Sequence, residues 1–312
     1  MSEIELAMCV LQKTMASSSV AELVLGAVDG SELPAWKPGA HVDFLLPNGL
    51  TRQYSLCGRI EERKRWRFGV LREEKSRGGS AYIHDSLRLD DVIRVRGPRN
   101  NFAYREGEPA LFIAGGVGIT PLLPMARAAA LHGTPWRMVY GGRTRDSMAF
   151  VDELSQFGGR LSLCPQDEYG LLDIEQLAKG MAPGEQIYCC GPEPLIAAVE
   201  RAFAGLADQL HIERFKAEAG TQQNFAFDVV LRASNKTVRV SAEESILEAL
   251  EKNGMNPPFS CREGTCGTCE TVILRGRPDH RDVVLSPAEK QAGQTMMICI
   301  SRSLDPEIEL DA

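Results

Sequence analysis

The sequence predicts a multi-domain chain of three successive parts: a small antiparallel β-barrel, an α/β domain with a parallel sheet, and a compact α+β domain. Three features carry this. Residues 1–104 hold short β-prone runs broken by turns. Residues 105–217 alternate continuous apolar runs with helical stretches. Residues 227–312, after a polar linker at 218–226, hold a hairpin, a helix and a loop rich in cysteine and glycine.

In the first part, residues 42–46 end at a Pro-Asn-Gly turn, 66–70 follow a charged hairpin tip, and 92–95 alternate before Gly97-Pro98. Short strands at this spacing close into a barrel or stack as a sandwich. Residues 110–114 are apolar throughout, as in a strand buried on both faces of a parallel sheet. A glycine-rich turn and an Ala-rich helix over 121–131 follow. Strand–helix alternation then runs through 137–140, 161–164 and 187–190, the last leading into a helix over 195–203. That order is α/β. Residues 216–224 are polar and unpatterned, which makes them the body of the linker. Beyond them, 227–231 and 237–240 flank a polar turn as a hairpin. Ser241 and Glu244 stand at capping-box spacing to open a helix, and Gly254 is its stop signal.

Composition narrows the function classes. Of 312 residues, 44% are apolar and 25% charged, an ordinary globular balance. The net charge of −7 argues against a nucleic-acid partner, which favours a basic surface. Residues 52–105 hold 14 Lys/Arg against 7 Asp/Glu, whereas 226–312 hold 10 against 14. Opposite local charge can steer two domains together, and chance variation on solvated faces explains it equally well. No apolar run approaches the ~18–20 residues that cross a bilayer, and the start lacks the positive and apolar regions of a secretory signal. With nine cysteines, an odd number, these features predict a cytoplasmic protein whose clustered thiols bind metal.

The most specific pattern is Cys261-x4-Cys266-x2-Cys269 with Cys299 after 29 further residues. Thiolates suit iron–sulfur clusters or zinc, and this spacing is the plant-type [2Fe–2S] arrangement. Gly264 and Gly267 let the loop wrap closely and aim N–H groups at the sulfurs, donors that help to set a cluster's potential. A zinc site made of the four cysteines is the competing reading, but zinc sites usually present two short C-x2–4-C knuckles. Cys9, Cys57, Cys164 and Cys189 are ordinary small residues on this reading.

A second pattern is Gly115-Gly116-Val117-Gly118-Ile119-Thr120-Pro121, joining the buried strand at 110–114 to a helix. Thr120 is a good N-cap and Pro121 a good first helical residue. The glycines leave room for a ligand, and a helix N-terminus attracts a pyrophosphate. Pro121 stands where the G-x-G-x-x-G fingerprint has its third glycine, so the turn alone could be merely tight. Cys190-Gly191-Pro192 ends another predicted strand. Two such turns at the carboxyl ends of parallel strands border one crevice, where open α/β sheets bind ligands.

These turns resemble the nicotinamide domain of the ferredoxin–NADP reductase superfamily. The resemblance places Cys190 beside the nicotinamide ring; a buried structural cysteine is the alternative. Arg52-Gln53-Tyr54-Ser55 is similar to that superfamily's Arg-x-Tyr-Ser flavin motif. Alternate residues of a strand share a face, so Arg52 and Tyr54 can address one ligand. Arg52 then pairs with the flavin phosphate, Tyr54 stacks on the isoalloxazine, and the resemblance sets the Ser55 hydroxyl near flavin N5. Downstream, Arg77-Gly78-Gly79-Ser80 can supply N–H groups and a hydroxyl to the phosphate. Glu213-Arg214-Phe215 is similar to the segment that sets an aromatic ring, here Phe215, against the flavin; a plain core residue is the alternative.

Residues 226–312 resemble a plant-type ferredoxin domain of the β-grasp kind, and the whole chain resembles the phthalate dioxygenase reductase family, including the vanillate demethylase reductases. That resemblance implies FMN, a [2Fe–2S] cluster and NADH, and a separate Rieske-type oxygenase as electron acceptor. A haem-thiolate monooxygenase is the alternative acceptor, and a non-catalytic iron–sulfur carrier or sensor the reading from another class. Arg143 and Arg145 keep NADPH open, since they could attract a 2′-phosphate.

Overall fold

In the computed structural model of the chain the described residues are 4–74, 78–216 and 224–312. They form two compact units, Met1–Glu213 and Arg214–Ala312. Arg77 and most of the expected linker lie outside the described residues.

The first unit opens with β1 (Glu5–Met15), β2 (Val20–Ala27), β3 (His41–Leu45), β4 (Thr51–Ser55), β5 (Trp66–Leu71), helix α1 (Gly79–Asp85) and β6 (Val92–Arg99). The strands form an antiparallel sheet in the order β4-β3-β6-β1-β2-β5. Its outer strands meet: Leu56, just past β4, bridges Phe68 of β5, and the Cys57 N–H donates to the Arg67 carbonyl at 2.9 Å. The sheet is therefore closed into a barrel. Period-two alternation fills it, with Met8, Val10, Leu23, Leu25, Phe44, Phe68 and Val95 turned inward around Trp66. β1 is longer than the short strands expected, and a register shift between Val10 and Gln12 lets it bend around the barrel.

The second half of this unit runs β7 (Ala110–Gly115), α2 (Ile119–Leu131), β8 (Trp136–Gly142), α3 (Val151–Leu154), β9 (Leu161–Pro165), α4 (Gln166–Tyr169), α5 (Ile174–Lys179), β10 (Gln186–Cys190), α6 (Glu193–Ala202) and β11 (Leu210–Glu213). Among the described residues its five strands are all parallel, in the order β11-β10-β7-β8-β9. β7 and β10 are buried along their whole length because both sheet faces are covered, which is why 110–114 reads as unbroken apolar sequence. The chain winds outward from β7 through β8 and β9, then returns to start again at β10 on the other side. The point of reversal lies between β7 and β10.

The second unit contains β12 (Phe227–Leu231), β13 (Lys236–Val240), α7 (Ile246–Lys252), β14 (Glu270–Arg275), β15 (Pro278–Asp279), α8 (Pro287–Ala292), β16 (Thr295–Met297), β17 (Arg302–Ser303) and β18 (Glu307–Leu310). Its main sheet has the order β13-β12-β18-β14-β16, with β12 and β18 parallel and the other pairs antiparallel. Ile246, Leu247, Ala249 and Leu250 of α7 pack with Phe227, Val229, Ile308 and Leu310 of the sheet. The helix start differs from expectation. Ser245 and Glu248 form the capping box, while Ser241 and Glu244 close the turn before it through the Ser241 N–H (2.9 Å). Two consecutive Ser-x-x-Glu patterns compete here, and the apolar face beginning at Ile246 selects the second. Among the described residues no helix is long and apolar enough to cross a membrane.

Candidate functional site

The two glycine turns of the parallel sheet come together at its point of reversal. A Cβ on Gly118 would lie 2.1 Å from the Cys190 carbonyl oxygen, and one on Gly191 would lie 3.0 Å from the Cα of Gly115. Backbone thus packs on backbone, which only glycine permits. Gly115 also faces Pro192, whose Cδ would stand 2.6 Å from an added Cβ. Gly116, at φ +54°, begins a 3-10 turn (Gly116–Gly118) with open space where its side chain would be. These turns sit at the carboxyl ends of β7 and β10, the crevice where open α/β sheets hold ligands.

Thr120 does not cap the helix as expected. It is the second residue of α2, is buried, and its hydroxyl donates to the Val117 carbonyl at 2.9 Å. The 3-10 turn displaces the helix start to Ile119, so Pro121 is the third helical residue rather than the first. Tyr140 was not legible in advance. Its buried hydroxyl donates to the Gly116 carbonyl (3.1 Å) and accepts from the Ala149 N–H (3.0 Å), fixing the turn against β8.

Cys190 closes β10 and is fully buried, and its thiol donates to the Glu213 carboxylate at 3.9 Å. Burial, then the nearby Glu213 charge, raises the thiol well above its ordinary range. Burial also pushes the Glu213 carboxyl up to about 8. Glu213 had been noted in sequence only as Phe215's neighbour. Phe215 itself belongs to the second unit, two residues past β11, and is 38% exposed.

In the barrel, Arg52 and Tyr54 do share one face of β4. Phe44 of β3 pairs with Arg52 across the β3–β4 ladder, and its ring meets that of Tyr54 edge-on at 4.8 Å. Ser55 is buried at the strand end. The Arg52 side chain crosses to the first turn of α1: a Cβ on Gly79 would lie 2.6 Å from its Cγ and 2.8 Å from its Nε. The guanidinium donates to the Thr51 carbonyl at 2.7 Å. Gly78 precedes α1 at φ +98°, a conformation that favours glycine, and the Ser80 hydroxyl accepts from the Glu73 N–H at 3.2 Å. Two segments separated by 25 residues of sequence, Arg52 and Gly78-Gly79-Ser80, therefore make one cradle of a guanidinium and a glycine turn, which fits a phosphate.

In the second unit Cys261, Cys266, Cys269 and Cys299 are all buried, and none forms a disulfide. Their side chains meet in succession, Cys266 with Cys261, Cys261 with Cys299, and Cys299 with Cys269. The Glu263 and Thr265 N–H groups donate to the Cys261 sulfur at 3.3 and 3.4 Å. Gly264 (φ +67°) permits this wrap and packs against Asp282, whose carboxylate accepts from the Val284 and Leu285 N–H groups at 3.1 and 2.9 Å. The Val283 N–H donates to the Gly264 carbonyl at 3.0 Å, tying the loop to this buttress. A bridged two-iron cluster takes two thiolates per iron and gains from N–H groups aimed at sulfur, and these residues fit it.

Comparison with known proteins agrees with this division. Residues 229–304 match the 2Fe-2S iron-sulfur cluster binding domain, and 112–201 the oxidoreductase NAD-binding domain. The solved structure of phthalate dioxygenase reductase, described as modular for electron transfer from pyridine nucleotides to [2Fe–2S], superposes with a TM-score of 0.77 at 32% identity, covering 99% of this chain and 98% of that one. The chain belongs to the phthalate dioxygenase reductase family. It is also 45% identical over 282 residues to the phenoxybenzoate dioxygenase subunit beta of Ectopseudomonas oleovorans, covering 89% of this chain and 88% of that one. An intact type IV self-sufficient cytochrome P450 monooxygenase gives a TM-score of 0.87 at 37% identity, covering 99% of this chain. This chain spans only 41% of that P450's length. Members of this family are oxidoreductases, and this chain is an NAD(P)H-dependent one with a flavin and a [2Fe–2S] cluster.

Proposed function

We propose that this chain is the reductase component of a Rieske-type oxygenase system, carrying electrons from NADH through FMN to its own [2Fe–2S] cluster and on to a separate oxygenase. On this reading residues 1–104 form the FMN domain, 105–217 the nucleotide domain and 227–312 the ferredoxin domain, joined by 218–226. The observation that carries it is the convergence of Gly118 on Cys190 at the sheet's point of reversal, in a chain that also brings four thiols together. A hydride-binding crevice and a one-electron centre have a common use only if something between them handles both modes. Bound flavin supplies that chemistry, accepting two electrons as hydride and releasing them singly.

The protein's own residues then bind and orient. Arg52, Gly78, Gly79 and Ser80 hold the FMN phosphate, Tyr54 and Ser55 line the ring, and Phe215 covers it. Gly115, Gly116, Gly118 and Thr120 seat the pyrophosphate, while Cys190, Gly191 and Pro192 border the nicotinamide. Ser55, Cys190 and Phe215 act at the reacting atoms by contact, and none forms a covalent bond. Cys261, Cys266, Cys269 and Cys299 hold the irons.

Relatives named as dioxygenase and demethylase components support the oxygenase as acceptor. The P450 likeness supports a second reading, in which a protein of the same build serves a haem-thiolate monooxygenase. The test is a visible spectrum with iron and released-flavin analysis, before and after anaerobic NADH, followed by reconstitution against both acceptor classes. A colourless or zinc-loaded protein contradicts the proposal, and turnover with a P450 alone selects the second reading.

A further inference from the structure

Within the first unit, four charged side chains from the barrel and from the α/β half meet in one group. Arg67 of β5 grips Glu22 of β2 with two nitrogens, Nε to Oε1 at 2.8 Å and Nη2 to Oε2 at 3.0 Å. Its third nitrogen reaches across to Glu153 of α3, Nη1 to Oε2 at 2.7 Å. Arg127 of α2 takes the other Glu153 oxygen and reaches back, Nη1 donating to the barrel carbonyls of Cys57 (2.9 Å) and Gly58 (2.6 Å). Each arginine is thus bound on both sides of the junction, one from each direction. The four side chains are only 17–29% exposed, so salt screens them less than surface pairs.

The same strand face makes an unusually close contact beside this group. The Arg67 guanidinium lies 4.5 Å from the centroid of the Phe150 ring. Two residues on, a Cβ at Gly69 would stand 2.8 Å from Cγ2 of Thr120 and 3.1 Å from the Phe150 ring. No side chain fits there between β5 and the first turn of α2. Around it, Val20 and Cys57 of the barrel belong to the apolar core of the α/β half. Apolar contact alone leaves two halves free to slide, and relative motion is the default for such junctions. Charge-assisted bonds to Glu153 from both sides add direction and fix register.

We propose that Glu153, gripped by Arg67 and Arg127, is a positioning residue that locks the barrel against the nucleotide crevice and so sets the hydride-transfer geometry. This rests on the reading above, that the barrel holds flavin and the crevice nicotinamide. Hydride moves between atoms about 3–3.5 Å apart, and a misplacement of about 1 Å can cost about 100-fold in rate. None of the four side chains is among those assigned above to FMN or to the nucleotide, so loss of the group is expected to act on alignment rather than on affinity.

The test uses the full-length holoprotein with two unrelated lesions. Glu153→Gln leaves two facing arginines with no charge between them, and Gly69→Ala wedges the junction apart sterically. Both variants are expected to keep FMN content within about twofold of the parent; NADH affinity, read with a non-reducing nicotinamide analogue, should stay within about twofold in Glu153→Gln, whereas Gly69→Ala presses on Thr120 and is judged by its rate at saturating NADH alone. Anaerobic flavin reduction at saturating NADH should fall about tenfold, and the long-wavelength absorbance of a stacked nicotinamide–flavin pair should weaken. Glu153→Asp, which keeps the charge, should recover part of both losses. Unchanged reduction rates and absorbance in both variants overturn the proposal, as does a loss confined to NADH affinity. Should one variant fail to fold, the other decides alone. A parent that NADH does not reduce defeats the functional reading and this proposal with it; a normally reduced parent beside unaffected variants defeats only this proposal.

Discussion

The thiol of Cys190 lies 3.9 Å from the carboxylate of Glu213, with which it is in register across the parallel pair β10–β11. Desolvation raises the Glu213 carboxyl to about 8 from an ordinary 4.5. In that window the folded protein keeps a proton that the unfolded chain releases, so stability falls as pH rises and levels off above about 8. Glu213→Gln keeps the shape without the ionisation. Its melting temperature relative to the parent should climb from pH 5 towards pH 8 and level off above it. A constant difference across that range would mean that Glu213 ionises as an ordinary carboxylate.

The raised thiol of Cys190 predicts inertness. The thiolate is the nucleophile, and burial suppresses it. With the native protein at pH 8, iodoacetamide should modify Cys190 at least about tenfold more slowly than in denaturant, as read by peptide mass spectrometry. Equal rates in both conditions would contradict a neutral, enclosed thiol.

Arg52 offers the guanidinium of the proposed phosphate cradle, pressed over Gly79. Charge-assisted bonds of this kind contribute about 1.5–3 kcal/mol, so Arg52→Ala should weaken FMN binding by about 10- to 100-fold. Flavin remaining bound after dialysis at the parent level would count against the role.

Cys266→Ser should separate the two halves of the reaction. NADH reduction of the flavin should proceed at the parent rate, while electron delivery to a protein acceptor drops by at least about tenfold because a thiolate ligand is gone. Undiminished delivery would refute the route through the cluster.

Asp282 buttresses the cluster loop by accepting two backbone N–H groups from a fully buried position. Asp282→Ala strands both, at about 1–3 kcal/mol for each. The visible absorbance of the cluster should bleach at a lower denaturant concentration than in the parent, and an identical midpoint would show that the buttress is dispensable.

What the sequence revealed in advance was local. The cysteine spacing, the unbroken apolar run at 110–114 and the two glycine turns each advertise themselves within a dozen residues, because chelation, two-sided burial and tight turning all act at short range. Thr120 and Ser241 were misplaced by a few residues for a related reason: local patterns offered more than one helix start, and tertiary packing chose. Long-range partners left no trace. Glu153 meets Arg67 across 86 residues, and Glu213 meets Cys190 only because two strands are neighbours in the sheet. Nothing in a single chain of letters marks such pairs, since any surface carboxylate looks the same until the fold buries it.

The contact between Gly118 and the Cys190 carbonyl has an evolutionary corollary. Where a ligand bed is paved with main chain, exchange of side chains has nothing to grip, and any residue larger than hydrogen is barred by collision. Variation among descendants must therefore gather at the margins, on loops such as the one bearing Arg143, and coenzyme preference can drift there while the bed itself stays frozen.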